Sequence, residues 1–348
     1  MSNVANMNKV LILTDGKAGH ENQSRAFARA LGCEPDLLPV QFKSPFAKAL
    51  SYLFDLFGIL SPSLFKDIKF PNPPISQSPN HPIPQSHNYR AVIGTGSGTF
   101  YAAKVLAHRL GVPCGVVLYP RGYRLAGFDC ILAPSFDRPD NVSNVIPIPA
   151  NLVAADAAFY EAGVKAFRER HTPSGRPAVA VIVGGPNKCA SLSADWMRAQ
   201  LEQIFAKYKP DQSPNPPISQ SPNPTISQSP NHELWVTTSR RTPPEVEAVI
   251  DSFPFDYKLL YSRDHFNPIP AFVSLARVLY VTAESTGMLS EACTFGTAEV
   301  HALDNLKSGP HKFRRFLDDL TAAGHLGGAR KIDLSAQFAR AKELLKIH

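Results

Sequence analysis

The chain has 348 residues, 44% of them hydrophobic, and a formal net charge of +7. That length exceeds the usual single domain, so two domains are expected, while the lack of any run of about 18 uninterrupted apolar residues argues against a transmembrane helix. Five scattered cysteines without a CxxC pair exclude a disulfide framework and a cysteine zinc site, and the dispersed positive charge suits a phosphorylated substrate or an anionic membrane surface rather than nucleic acid.

Residues 1–8 are short and polar and lack a basic-then-apolar leader, so the expected address is the cytoplasm, with room for a peripheral contact on the inner face of a membrane. Apolar runs then alternate with helical spacing. The first half offers strands at 10–13, 37–40, 91–93, 115–118, 130–132 and 145–148, with helices over 21–31 and 99–110. Between them, Ser44-Pro45 signals a helix start. Residues 46–60 that follow carry Leu50, Tyr52, Leu53, Phe54, Leu56, Phe57, Ile59 and Leu60; Leu64 and Phe65 come next, and Lys43, Lys48, Lys66 and Lys69 lie in or beside the run. Such a stretch reads either as a core helix or as one that meets a membrane surface, or receives a lipid acceptor, through 46–65.

Two tracts break the alternation. The ten residues at 71–80 recur letter for letter at 214–223, and a near copy covers 222–231. Their Pro, Ser, Asn and Gln content leaves almost nothing to bury, so 71–87 and 210–232 read as disordered inserts. Each precedes a strand, at the end opposite to where open α/β sheets bind ligands, so both inserts are expected to be neutral for function. The second half supplies strands at 178–183, 234–237, 258–261, 278–281 and 298–303, and helices at 190–208, 244–253, 270–276 and 288–295. A polar helix at 156–170 opens it, and helices at 312–323 and 334–345 close it. The expected division is an N-terminal domain over 1–152, a C-terminal domain over 153–325, and a last helix within 326–348 that packs back on the first domain.

Three glycine-bearing loops follow predicted strands: Thr14-Asp15-Gly16-Lys17-Ala18-Gly19-His20-Glu21-Asn22-Gln23, Gly94-Thr95-Gly96-Ser97-Gly98-Thr99 and Gly184-Gly185-Pro186-Asn187-Lys188. Glycine there lets backbone N–H groups approach a phosphate. None is a P-loop or a dinucleotide fingerprint. A fourth break lies inside 277–303, which reads strand, polar turn, helix, strand. Its turn, Glu284-Ser285-Thr286-Gly287, sits at a helix N-terminus, where free N–H groups and the dipole favour a diphosphate. Glu291 lies one helical turn further in, within reach of a ribose hydroxyl pair. Arg240 and Arg241 follow another strand and precede a proline helix start. His265, His301 and His311 form no spaced metal set, and Asp318-Asp319 falls in a tail helix, so no metal site is expected.

Taken together, the Asp15–Gln23 and 94–99 loops, Ile148-Pro149-Ala150-Asn151, the 184–188 loop, Thr237-Thr238-Ser239-Arg240-Arg241-Thr242-Pro243 and the 284–291 turn resemble the mitochondrial-fission ELM family, in order and over nearly the whole chain outside the inserts. Its bacterial branch is regarded as glycosyltransferases. The resemblance implies an α/β, GT-B-like fold: two Rossmann-like doubly wound domains facing a cleft, with two low-complexity loop inserts. The pattern is similar, more distantly, to the N-acetylglucosaminyltransferase that makes lipid II. Carried over, it implies an acceptor side made by Gly16, Lys17, Gly19, Glu21, Asn22, Gly94, Gly96 and Ser97. A nucleotide-sugar side would be made by Gly184, Gly185, Lys188, Ser239, Arg240, Glu284, Ser285, Gly287, Met288, Ser290 and Glu291. Pro186-Asn187-Lys188 departs from the small residues usual in that loop, so the donor's base and sugar are unspecified.

Sugar transfer needs a base for the acceptor hydroxyl and positive groups for the departing diphosphate. The base is expected from the first domain, with Asp15 and His20 as equal candidates. Lys17 would meet an acceptor phosphate. Lys188, Ser239, Arg240 and the backbone at Gly184 and Gly185 would meet the diphosphate, and Glu284 would either bind sugar hydroxyls or cap its helix. The implied activity is metal-independent transfer of a hexosyl or N-acetylhexosaminyl group from a nucleotide-diphosphate sugar to a lipid-linked or envelope glycan acceptor, with no cofactor beyond that donor. Two alternatives stand beside it. One is a non-catalytic adaptor, since plant members of the family recruit a division dynamin to mitochondria. The other is a nucleotide-sugar epimerase.

Overall fold

A computed structural model describes residues 8–66, 89–209 and 232–348. The insert at 71–87, all of the 210–232 insert but His232, and Lys69 lie outside the described residues, as does the expectation that the inserts are neutral. The chain forms two α/β domains: one takes residues up to Ala154 together with Asp333–His348, the other Ala155–Ile332.

The first domain is built on six parallel strands, β1 (Lys9–Thr14), β2 (Glu34–Pro39), β3 (Tyr89–Thr95), β4 (Cys114–Val117), β5 (Cys130–Pro134) and β6 (Val145–Ile148), in the order β2-β1-β3-β4-β5-β6. A parallel sheet covered on both faces needs apolar side chains on both, which is why these strands read as unbroken apolar runs. Alternate residues divide the core. Leu11, Leu13, Val92, Val116 and Ile131 face α2 (Pro45–Leu56) and α3 (Phe100–Leu110). Val10, Ile12, Ile93, Val117 and Leu132 face α1 (Ala18–Leu31) and the last helix, α10 (Ser335–Leu345), whose Ala341 and Leu345 are fully buried. Arg340 of α10 also donates to the Ser143 carbonyl at 2.7 Å.

The second domain has five parallel strands, β7 (Ala178–Ile182), β8 (Glu233–Thr237), β9 (Tyr257–Leu259), β10 (Val278–Thr282) and β11 (Glu299–Leu303), ordered β11-β10-β7-β8-β9. On one face α5 (Ala194–Tyr208) and α6 (Pro244–Ser252) bury Met197, Leu201, Phe205 and Val246 against Val179, Val181 and Val236. On the other, α4 (Ala157–Arg168) and α7 (Ile269–Leu275) bring Phe167 and Phe272 onto Trp235, with ring centroids 5.1 and 5.6 Å away. Two more helices, α8 (Thr286–Thr294) and α9 (Lys312–Ala322), flank β10 and β11 in the chain. Both domains are therefore Rossmann-like and doubly wound.

Two local readings change. The helix expected from 190 begins only at Ala194, because the residues before it pair elsewhere. Asn187 and Ala190 bond each other's backbone, Ala190 bridges to Leu306, and Ser193 then caps α5 by accepting from the Trp196 N–H at 3.3 Å. The apolar helix after Ser44-Pro45 is a core helix on one side only, where Ala47, Leu50, Tyr52 and Phe54 pack on the first domain's core. It buries Ala47, Ser51 and Asp55 and leaves Phe46, Leu53 and Leu56 exposed. Among the described residues no helix is long and apolar enough to cross a membrane.

Candidate functional site

Ligands in doubly wound sheets sit at the carboxyl ends of the strands where the winding reverses. In the first domain that point lies between β1 and β3. The loops that leave these strands are the two expected glycine loops, and they interlock. His20 Nδ1 lies 3.1 Å from both carboxylate oxygens of Asp15. A Cβ on Gly96 would fall 2.3 Å from the His20 ring, and one on Gly98 would fall 2.7 Å from Asp15 Oδ2. Gly96 also has φ +81°, a conformation that side chains disfavour. These two glycines therefore exist here to let an Asp–His pair lie against the backbone.

Burial pushes the Asp15 carboxyl up, but the adjacent His20, the Lys17 side chain and the Lys17 N–H outweigh it and hold its pKa below the ordinary value. An ionised carboxylate only accepts, so the imidazole Nδ1 carries the hydrogen and donates to it. In the neutral form of the ring Nε2 then holds the lone pair. The His20 side chain keeps 23% of its surface exposed, so it can be reached from outside.

The other expected acceptor residues divide. Gly16, Lys17, Gly19 and Asn22 are exposed around the pair. Lys17 Nζ stands 3.2 Å from Asp15 Oδ2, an exposed contact that is easily exchanged for another anion. Glu21 is engaged internally, accepting from Thr14 Oγ1 at 3.3 Å and Arg25 Nε at 2.9 Å. Gly94 is inside β3, paired in register with Leu13, and its missing Cβ makes room for Thr99 Oγ1 at 2.8 Å. Its role is packing, not ligand contact. Ser97 accepts from Lys48 Nζ at 2.9 Å. The sequence shows Lys48 only as a lysine in an apolar helix; nothing local marks its partner, which is 49 residues away.

In the second domain the winding reverses between β7 and β10, and the loop after each also meets the other. Here several expected roles are corrected. The Gly184 N–H donates to Thr282 Oγ1 at 2.8 Å, and the Gly185 N–H donates to Glu284 Oε1 at 2.7 Å. Both amides are thus spent inside the protein and do not face a diphosphate. Glu284 neither caps α8 nor reaches outward. It is 3% exposed, and its second oxygen accepts from Asn305 Nδ2 at 2.8 Å. Glycine is needed at both loop positions, since a Cβ would meet Glu284 Oε1 at 2.0 Å or the Arg241 carbonyl oxygen at 2.3 Å. Ser290 is fully buried and donates to the Thr286 carbonyl at 2.6 Å, so its hydroxyl is also internal. Ser239 is occupied by its own turn: its N–H donates to Thr242 Oγ1 at 2.9 Å, and Arg241 N–H donates to its Oγ at 3.3 Å. Ser285, the N-cap of α8, is 9% exposed and makes no side-chain cap bond.

What remains accessible at this edge is cationic and amidic. Lys188, Arg240 and Arg241 are exposed, and among the described residues no carboxylate pairs with them. Gly287 is exposed in open space in the first turn of α8, where N–H groups have no intrahelical acceptor, and Met288 is half-buried beside it. Glu291 accepts from Tyr160 Oη at 3.1 Å; burial raises its pKa, partly offset by that bond. Thr242, Thr282, Asn305 and Tyr160 were not anticipated. Thr242 had a signal in its place just before two prolines. Tyr160 lies 131 residues from its partner and had none.

A family model described as Mitochondrial fission ELM1 matches residues 18–222 and 224–337. Among curated proteins none matches the chain. Among solved structures, the chain is similar to Staphylococcus aureus MnaA with UDP (10% identity, 98% of each chain covered, TM-score 0.46). It is also similar to a Neisseria meningitidis UDP-GlcNAc 2-epimerase bound to UDP-GlcNAc (12%, 97% of this chain and 100% of that one, 0.47). A third is Acinetobacter baumannii MurG (14%, 97% and 92%, 0.43).

Proposed function

This chain belongs to the mitochondrial fission ELM1 family, and from that premise we propose that it transfers a sugar from a nucleotide-diphosphate donor to a hydroxyl of a lipid-linked or envelope glycan. The observation that carries the reading is the Asp15–His20 pair held against Gly96 and Gly98. It supports His20 as the base and Asp15 as the group that orients it, a division of labour that the sequence leaves open. His20 Nε2 takes the proton of the acceptor hydroxyl as that oxygen bonds to the anomeric carbon. The bond from that carbon to the diphosphate oxygen breaks, and its electron pair leaves with the nucleotide diphosphate. Lys188, Arg240 and the N–H groups of Gly287 and Met288 receive the growing negative charge, and Glu291 accepts from the donor ribose. Lys17, Gly16, Gly19, Asn22 and Ser97 line the acceptor side.

Donor-dependent transfer, assayed with UDP, GDP, ADP and CMP sugars, tests this. His20→Ala is expected to lower turnover by roughly 10²–10⁴-fold with donor affinity, read by thermal shift, unchanged. Wild-type turnover in both His20→Ala and Asp15→Asn would sink the assignment. The family's description also raises a recruitment role without catalysis. A recruiting surface has no use for an Asp–His pair seated on two glycines, and a chain that no nucleotide sugar stabilises would favour that role.

A further inference from the structure

Helix α2 packs Leu50, Tyr52 and Phe54 on the core yet leaves a second strip of large apolar side chains outside. Its fully buried positions recur every four residues and are Ala47, Ser51 and Asp55. Its outward positions carry Phe46, Leu53 and Leu56, exposed by 75, 50 and 63%, and the turn that follows adds Phe57 at 69% and Ile59 at 46%. Elsewhere among the described residues, large exposed hydrophobics are limited to Val142 and Phe159. Polar anchors fix this orientation. Asp55 is 3% exposed and bonds Lys104 Nζ at 2.5 Å and the Arg124 N–H at 2.6 Å, and Ser51 Oγ lies 2.9 Å from Tyr123 Oη. Turning the apolar stripe inward would carry a buried charge away from its partner, so the stripe stays outside.

The charges around the stripe identify what covers it. Over residues 41–66 Asp55 is the single acid, and it is buried. Lys43 and Lys66 are exposed. What this stretch puts outside is thus apolar with cations beside it and no anion of its own. A second copy of the same patch would set lysine against lysine, whereas an anionic bilayer offers both hydrocarbon and opposite charge. We infer that α2 and the turn after it dock this protein on an anionic lipid surface, with Phe46, Leu53, Leu56, Phe57 and Ile59 entering the headgroup boundary. The inference rests on the proposed transfer for its purpose. Lys48, on the same helix, donates to Ser97 in the glycine loop that packs on His20. The docked helix and the candidate acceptor loop are therefore joined, and a lipid-linked acceptor would arrive where the helix sits.

Co-sedimentation of the full chain with phosphatidylcholine vesicles, with and without phosphatidylglycerol, tests the docking. The protein is expected to pellet with the anionic vesicles only, and less as salt rises. A combined Phe46→Ser, Leu53→Gln, Leu56→Gln, Phe57→Ser variant should lose at least about tenfold in vesicle affinity. Lys43→Gln and Lys66→Gln should each lose about fivefold, and Phe159→Ser, exposed in the other domain, should bind as wild type. The thermal midpoint of each variant reports whether it is folded. A wild-type chain that stays in the supernatant, or a combined variant that pellets equally well, overturns the docking. So does a combined variant that turns a dimer into a monomer, since a second copy would then be the cover. Nucleotide-sugar stabilisation without vesicles keeps the two readings apart. Donor binding without vesicle binding sinks only the docking, and vesicle binding without donor binding sinks only the transfer.

Discussion

The two winding-reversal points share a construction and differ in what they expose. In each, a carboxylate just beyond one strand is gripped by a glycine loop from the neighbouring strand. In the first domain the grip holds Asp15 against Gly98 and passes outward through His20, whose ring keeps an exposed edge. In the second it holds Glu284 against Gly184 and passes inward, to the Gly185 N–H and Asn305. The same pattern of glycines thus yields a reachable titratable group in one place and a buried strut in the other. A glycine loop after a parallel strand reports a close approach of something to backbone. Whether that is a ligand or a side chain from 99 residues away depends on the partner loop.

The sharpest way to break the comparison is to remove the gripped group on each side. His20→Ala, with its expected 10²–10⁴-fold loss of turnover, raises the barrier by about 3–5 kcal/mol and should leave the denaturant midpoint nearly unchanged. Glu284→Ala should do the reverse. It leaves the Gly185 N–H and the Asn305 amide unpaired in a buried place, at a cost of about 2–4 kcal/mol of stability measured by urea unfolding. Per folded molecule its turnover should be near wild type. A Glu284→Ala chain of undiminished stability that no longer binds nucleotide would make the second reversal point a binding site after all.

Gly98→Ala comes next. The added Cβ would fall 2.7 Å from Asp15 Oδ2, and because the neighbour is a side chain it can move aside for about 1 kcal/mol. Moving it displaces His20, so turnover should fall by roughly 10–100-fold with little change in melting. Gly19→Ala, with open space around the missing Cβ, is the control for folding and should melt as wild type.

The fold was open to reading because parallel strands buried on both faces must be apolar throughout. Val10–Leu13 in β1 and Val179–Ile182 in β7 announce themselves in this way. The glycine loops were visible for the same steric reason. What each loop residue touches was not. Asp15 and His20 are five residues apart, yet the loop that seats them comes from 76 or more residues further on, at Gly96 and Gly98. Ser290 and Glu284 were expected to meet the donor because they lie in or just before a helix whose N-terminus favours an anion. They are buried because Thr286 O, Asn305 and the 184–185 amides offer partners that only the folded sheet assembles. Helix α2 read either as a core helix or as a surface one, and its periodicity could not divide it: Leu50, Tyr52 and Phe54 pack on the core, Phe46, Leu53 and Leu56 stay outside, and its one acid is the buried anchor.

The smallest effects are in the pH dependence of stability, where the two domains should have opposite slopes. Asp15 has a depressed pKa in the folded chain, because His20 and Lys17 together outweigh its burial. Its stabilisation is complete above the unfolded value of about 3.9 and disappears as pH falls through the folded value. Asp15→Asn should therefore cost stability at neutral pH and cost less towards pH 3. Glu291 has a raised pKa, chiefly through burial. Its favourable contribution is complete below the unfolded value of about 4.3 and is lost as pH rises through the folded value, when the carboxylate ionises in a half-buried place beside Tyr160. Glu291→Gln keeps an acceptor for the Tyr160 hydroxyl and avoids that ionisation. It should be neutral at pH 4 and slightly stabilising at pH 7, within about 1 kcal/mol. Urea midpoints of the two variants across this range give the two slopes directly. A Glu291→Gln chain that is destabilised equally at both pH values would mean that the ionised carboxylate is held by a favourable partner, which would place Glu291 with Glu284 as a strut and remove it from the ribose.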